Sequence, residues 1–351
     1  MTRILPDRLG GLRAGLAAAQ LEGLLVTTLV NVRYLSGFTG SNGALVVPAD
    51  ADPILVTDGR YRDQAAAETD VEVVVDRDLL GVAADRMAGR WGVETHTLSV
   101  DDHTRLASLA SAELVGAGRA VEALREVKDE TEVEHLREAC RLSVEALEWL
   151  WEQGLAGRTE REIARLVENR MVELGAEDKA FDTIVAAGEH SAIPHHRPTD
   201  RPVEVGDLLK VDFGARVAGY HADCTRTVTI GPAADWQREI HEAVRVSQAA
   251  GVEVCVDGTA VADVDTASRE ALGDWLEHFT TGLGHGVGLQ IHEDPFIGAK
   301  HTGRLGRRTV LTVEPGIYLP GRGGVRIEDT LVVASIPEVL TATTTDLLEI
   351  A

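Results

Sequence analysis

Short apolar runs alternate with helical patterns up to residue 120. Gly23 to Thr28, Ala44 to Val47 and Ile54 to Val56 are rich enough in Leu, Val, Ile and Ala to predict strands. Arg60 to Glu68 and Leu79 to Trp91 predict helices, and strands alternating with helices indicate an α/β domain. Met1 to Gln20 reads as an amphipathic helix rather than a signal segment, because Asp7, Arg8 and Arg13 interrupt every apolar run. A Gly-containing stretch, Val115 to Gly118, gives way to a long charged helix, Lys128 to Trp151. That change places a hinge near Ala120 to Ala123 and divides the chain into residues 1–122 and 123–351.

A second helix, Glu160 to Leu174, has Thr159 as its expected N-cap and Gly175 as its expected stop. Two later segments then match in chemistry: Leu208 to Ile230, LLKVDFGARVAGYHADCTRTVTI, and Val310 to Val333, VLTVEPGIYLPGRGGVRIEDTLVV. Each is an apolar strand ending in a carboxylate, a Gly-containing turn, and a second strand whose carboxylate precedes a Thr-containing apolar run. Each also follows a predicted helix pair, Lys128 to Leu174 and Trp236 to Phe279. Residues 123–351 therefore read as an α+β domain built by internal duplication.

The acids at the strand ends carry the chemistry. If Asp212 faces Asp223, the first hairpin is centred between Val217 and Ala218; if Glu314 faces Glu328, the second is centred on Gly321. Four carboxylates brought together repel by roughly 4 kcal/mol per pair at 4 Å and an effective dielectric of 20. Either some are protonated, or two divalent cations balance the four charges. Metal is the simpler answer, because carboxylate pairs can bridge two ions and leave a water between them. Taken singly, each acid reads first as a solvated strand-end acid; recurrence at matching places in two repeats joins them.

A nitrogen donor is available in Gly282 to Pro295, GLGHGVGLQIHEDP. His285 lies between two glycines, which would let backbone and imidazole approach an ion closely, and His292 follows seven residues later. Oxygen-rich ligation with one imidazole suits Mn, Fe or Co, and Zn less specifically. His195 and His196 stand in a proline-bracketed loop, IPHHRP, read either as a plain surface loop or as a proton donor and substrate contact.

Composition narrows the field. The hydrophobic and charged fractions, 44% and 26%, are ordinary for a globular chain. A formal charge of −23 repels polyphosphate and argues against nucleic acid or an anionic membrane as a partner. Cys140, Cys224 and Cys255 are too scattered for a disulfide framework or a thiolate metal site, which suits a cytoplasmic protein. No apolar run approaches the roughly 18 residues of a membrane span. The Gly282 to Gly288 run lacks the context of a dinucleotide site, Ser41 is not in a nucleophile elbow, and HExxH and Walker A sequences are absent.

Taken together, VDFGARVAGYHADCTRT, PHHRPTDR, GLGHGVGLQIHEDP, TVEPGIY and GGVRIEDT resemble the characteristic blocks of the pita-bread metallopeptidases. Among these the chain is most similar to the Xaa-Pro peptidases, aminopeptidase P and prolidase. YLSGFTGSNG and VTDGRYRDQA resemble the N-terminal domain that creatinase shares with them, so the resemblance covers nearly the whole chain. It implies a creatinase-like domain followed by a pita-bread catalytic domain with a pseudo-twofold duplication. It makes Asp212 a ligand of one ion, His285 and Glu314 ligands of the other, and Asp223 and Glu328 bridges between them. Glu314 would also shuttle a proton, His195 and His292 would contact substrate, and Arg326 would lie beside the bridging acids.

The resemblance further implies two divalent ions per subunit, Mn²⁺ first and Co²⁺, Fe²⁺ or Zn²⁺ otherwise, with proline-containing peptides as substrates and a homodimer as the assembly. The chain departs from the commonest pattern at Cys224, after the bridging Asp, and at His196, after the loop His. A non-catalytic pita-bread binding module would lack ligands, whereas all five positions are filled. A creatinase-type amidinohydrolase works without metal, and methionine aminopeptidase lacks the leading domain. The N-terminal blocks favour an Xaa-Pro aminopeptidase, with the Xaa-Pro dipeptidase as the alternative.

Overall fold

The structure, a computed structural model, describes residues 6–350 and divides into two units, Met1–Arg125 and Glu126–Ala351. Met1 to Leu5 of the expected first helix lie outside the described residues, and α1 spans Pro6–Ala18. The strands β1 (Gly23–Val26), β2 (Gly43–Pro48) and β3 (Ile54–Thr57) follow, with α2 (Leu29–Ser36) between the first two. After α3 (Arg62–Glu68) come β4 (Glu72–Val75), α4 (Leu79–Ala84), β5 (Ala88–Val93), α5 (Val100–Leu109), β6 (Ser111–Gly116) and α6 (Ala120–Glu126). The six strands form one mixed sheet in the order β4-β3-β2-β1-β5-β6, over a core that includes Leu25, Val46, Val56, Met87, Trp91 and Leu106.

One expectation fails in this unit. The helix over Leu79 to Trp91 ends at Ala84, and Ala88–Val93 is instead a strand paired in parallel with both β1 and β6. Gly89 takes a left-handed φ of 78°, and pairing on both edges buries Trp91 and Val93, outweighing the local helical pattern. Val115 and Gly116 belong to the edge strand β6, and Ala120–Ala123, where the hinge is expected, lie within α6.

The second unit starts with α7 (Glu130–Trp151) and α8 (Glu160–Glu173). Both begin on a capping box, Asp129 with Glu132 and Thr159 with Glu162, which satisfies backbone N–H groups that the first turn leaves unpaired. Val133, Leu136, Cys140, Leu147 and Leu150 of α7 recur at helical spacing and are buried. Next come β7 (Asp178–Lys179), β8 (Ile184–Ala187) and a ribbon of β9 (Leu208–Phe213) with β12 (Cys224–Ile230), tipped by β10 (Ala215–Val217) and β11 (Tyr220–His221).

The pattern then repeats. Helices α9 (Asp235–Glu253) and α10 (Val261–Ala271) precede β13 (Gly284–Gly286), β14 (Glu293–Ile297) and β15 (Val310–Val313). A tip of β16 (Gly316–Leu319) and β17 (Gly323–Arg326) leads to β18 (Asp329–Val332). The antiparallel trios β8-β9-β12 and β13-β15-β18 have the same order, so the duplication read from the sequence is present in the topology. The two ribbons join at Thr225 and Glu328, where the Glu328 N–H donates to the Thr225 carbonyl at 3.1 Å. Among the described residues no helix is long and apolar enough to cross a membrane.

Candidate active site

The two ribbons differ in register. In the second, Val313 pairs with Asp329 and Gly316 with Arg326, which sets Glu314 opposite Glu328 about Gly321, as expected. In the first, Asp212 faces Thr225 rather than Asp223, and Ala218 and Gly219, with φ of 48° and 77°, make the turn. The turn centre therefore lies one position beyond the expected one. Because side chains alternate with a period of two, this offset leaves Asp223 diagonal to Asp212 on the same face of the ribbon.

Asp212, Asp223, His285, Glu314 and Glu328, together with His195, His292 and Arg326, all line one cavity of about 390 Å³. Its apolar wall includes Phe181, Ile184, Ile291 and Phe296. One ligating atom each from Asp223, His285 and Glu328 lies within 4.8 Å of the other two. The His285 Nε2 is 3.5 Å from Asp223 Oδ2 and 3.4 Å from Glu314 Oε1. Its Nδ1 faces the Gly286 carbonyl at 3.1 Å, so a proton held there leaves the Nε2 lone pair directed at the acids. Asp212 stands apart from the trio: its Oδ2 accepts from Arg326, while its buried Oδ1 has no hydrogen-bond partner.

Charge in this cavity is unbalanced. Burial, reinforced by the charges of Glu328, Asp212 and Glu314, pushes the Asp223 carboxyl well above the usual range. Burial together with Glu314 and Asp212 does the same to Glu328, and burial raises Glu314 to about 7 against the opposing pull of Arg326. Burial and the neighbouring His292 lower His285 to about 4, so its imidazole is neutral at pH 7 and offsets none of the negative charge. Arg326, 3% exposed, is the fixed cation among the cavity-lining residues. An orphaned carboxylate oxygen, a cluster of carboxylates and a neutral imidazole lone pair make a donor set that fits divalent cations.

Sequence comparison decides the family. A family model described as metallopeptidase family M24 matches residues 134–335, and one described as the creatinase/prolidase N-terminal domain matches residues 8–127. The chain belongs to metallopeptidase family M24. This metallopeptidase is 34% identical to an Xaa-Pro dipeptidase of Pyrococcus furiosus, over 89% of its own length and 91% of that protein. It superposes on the Xaa-Pro dipeptidase from Bacillus anthracis with a TM-score of 0.95 at 32% identity, covering 98% of this chain and 99% of the other. The X-Pro aminopeptidase from Thermotoga maritima gives 0.89 at 34% identity, covering 96% and 100%.

Two side chains that contact the metallopeptidase's cavity-lining residues were not anticipated from the sequence. The Thr225 hydroxyl donates to Glu328 Oε2 at 2.6 Å. Tyr318 donates no obvious charge, yet its hydroxyl accepts from Arg326 at 3.0 Å. A threonine two residues after an acid on a strand shares its face, which is the signal that would have found Thr225. The glycines beside His285 also have a different reason from the expected one. A Cβ on Gly284 would stand 2.0 Å from the Thr312 carbonyl oxygen, and one on Gly286 would stand 2.2 Å from that of Asp294. Close approach of neighbouring strands, rather than of an ion, requires them.

Proposed function

We propose that this M24 metallopeptidase is an Xaa-Pro dipeptidase that holds two divalent cations. Asp212 would hold one ion, His285 and Glu314 the other, and Asp223 and Glu328 would be shared between them. The observation that carries this reading is the convergence of the Asp223, His285 and Glu328 donor atoms in a cavity that Asp212 and Glu314 also line. The relatives named as Xaa-Pro dipeptidases support the dipeptidase form over the aminopeptidase form that the N-terminal motifs favoured; the similarity to the X-Pro aminopeptidase keeps the two close.

Cations bound there supply Lewis-acid polarisation of the carbonyl before proline and an activated water. The chain's own groups do the remainder. Arg326 orients Asp212 through one carboxylate oxygen and leaves the other to a cation. His195 and His292 reach the cavity, where imidazole N–H groups can hold the oxygen on which negative charge develops. Proline's nitrogen carries no hydrogen in the peptide bond, so a proton must be delivered as it leaves; the Glu314 carboxylate takes a proton from the attacking water and delivers it to that nitrogen. The apolar wall of Phe181, Ile184, Ile291 and Phe296 suits the apolar body of a proline-containing dipeptide.

The oxygen-rich donor set with one nitrogen favours Mn²⁺. Three free, buried cysteines suit the reducing cytosol. The deciding experiment strips the metal, restores Mn²⁺, Co²⁺ or Zn²⁺ in turn, and compares Xaa-Pro with Xaa-Pro-Xaa peptides. Cleavage of the dipeptide alone is expected. Preferential cleavage of the longer peptide reverts the reading to the aminopeptidase, and no hydrolysis with any ion removes it.

A further inference from the structure

The loop between β8 and β9 carries His195, which lines the cavity while remaining solvent-exposed. Two fully buried polar side chains, Glu160 and Lys210, hold this loop. Glu160, the first residue of α8, is 0% exposed and accepts five hydrogen bonds. Near the start of the loop it receives the Ala187 N–H at 2.9 Å and the His190 Nδ1 at 2.9 Å. Near the end it receives the His196 Nε2 at 2.8 Å, the Thr199 N–H at 2.9 Å and the Thr199 hydroxyl at 2.7 Å. One carboxylate thus ties together both ends of the segment. Burial opposes its ionisation, but these donors more than compensate and bring its pKa down to about 2.

Lys210 of β9, also 0% exposed, holds the middle of the segment. Its Nζ donates to the Ser191, Ile193 and Pro194 carbonyls at 3.1, 2.8 and 3.4 Å and lies 5.1 Å from the centre of the Tyr318 ring. Arg326 donates to the same Pro194 carbonyl at 3.2 Å, and the Gly324 N–H donates to the Ser191 hydroxyl at 2.8 Å. The backbone is therefore fixed at Ile193 and Pro194, just before His195, and at His196, just after it.

We propose that Glu160, His196 and Lys210 are positioning residues that pre-set the backbone on both sides of His195, so that its imidazole meets the peptide without the loop having to order on binding. Burying a carboxylate and an amine is unfavourable unless hydrogen bonds satisfy them, and here those bonds all converge on this loop or its neck. Ordering it beforehand lowers the entropy lost on reaching the transition state. The proposal rests on the role assigned to His195 in the dipeptidase reading. Glu160, His190 and His196 also place one potential ligand atom each within 4.8 Å of the others. The Glu160 oxygens already receive two backbone N–H groups and a hydroxyl, and each imidazole turns a nitrogen toward the carboxylate as a donor, so the trio is a hydrogen-bonded anchor rather than a third ion site.

The test uses the Mn²⁺-loaded full chain, an Ala-Pro dipeptide, metal analysis and steady-state kinetics on His195→Ala and on Lys210→Met, His196→Leu and His196→Gln, each of the last three alone and combined with His195→Ala. Lys210→Met and His196→Leu should each lower kcat by about 10- to 100-fold, with KM within about threefold of the parent and bound metal unchanged. His196→Gln, whose amide can still donate to Glu160, should recover most of the loss. In the His195→Ala background the same substitutions should have little further effect on kcat, because the group they position is gone.

Losses that remain undiminished in that background, or that appear only as a lower melting temperature, overturn the proposal in favour of a purely structural brace. A third equivalent of metal, lost in His196→Leu, overturns it in favour of an ion site. Failure of the underlying reading shows separately: the parent does not cleave the dipeptide, or His195→Ala is as active as the parent. Should Lys210→Met fail to fold, the Leu and Gln pair at His196 still decides the matter.

Discussion

Two carbonyl oxygens close so tightly around His285 that only glycine fits on either side of it. Replacing Gly284 by Ala should therefore cost on the order of 3 kcal/mol or more, read as a lower guanidinium midpoint. Gly282→Ala, whose added carbon would meet its nearest neighbour at an ordinary 3.8 Å, should stay within about 0.5 kcal/mol of the parent. Equal midpoints for the two variants would remove the steric account. The acids make a chemical prediction at the same scale. Glu328→Gln keeps the size and the contact with Thr225 but removes the charge, so turnover should drop by about 10³-fold or more and bound metal should decrease, with the far-ultraviolet spectrum unchanged. An active, fully metallated Glu328→Gln protein would refute its assignment as a ligand. The types and rough places of these acids were readable from the chain. Thr225, Tyr318 and Lys210 were not, because each acts through a partner 103, 8 or 17 positions away that only the folded chain brings to it.

Helices and ribbons differ in how far their own residues define them. Asp129 caps α7 and pairs reciprocally with Glu132, so Asp129→Ala should cost about 1 kcal/mol in urea unfolding; an unchanged midpoint would mean that tertiary packing alone holds the helix start. Thr159 and Gly175 mark the ends of α8 by the same local chemistry, which is why that helix was legible. The ribbons were legible only in part. In the second, Gly321 takes a left-handed φ of 73° at the centre of the ribbon, where the acid spacing predicted a turn. In the first, the turn uses Ala218 with positive φ, a conformation that alanine does not advertise, and the register could not be counted correctly from the acids. The helix expected over Leu79 to Trp91 failed for a third reason: two parallel partners on a sheet claimed its second half.

At the scale of the whole molecule, the catalytic unit concentrates like charges at the meeting of its two repeats, and that cost should be visible when metal is removed. In the metal-free chain Glu314 is raised from its ordinary 4.5 to about 7, and Asp223 and Glu328 are raised as well, so the folded state binds more protons than the unfolded one. Its stability therefore falls as pH rises from 4.5 through about 7, while bound cations replace those protons and remove the penalty. The melting temperature of chelator-treated protein should fall below that of Mn²⁺-loaded protein by a gap that widens between about pH 5 and about pH 8. A gap independent of pH would show that the acids do not carry this strain.

The chain by itself determined the family, the two-part organisation, the duplicated helix-and-ribbon pattern and the identities of the acids and histidines that reach the cavity. These follow from periodicity, spacing and turn residues, which are local, and from motif blocks whose order is preserved. Only the tertiary structure decided which acids meet His285, which one turns to Arg326, and that Glu160, a helix-start acid by every local sign, is buried beneath a loop. Those outcomes depend on ribbon register and on contacts between residues far apart in sequence, where a shift of one or two positions redirects a side chain and no local pattern records the choice.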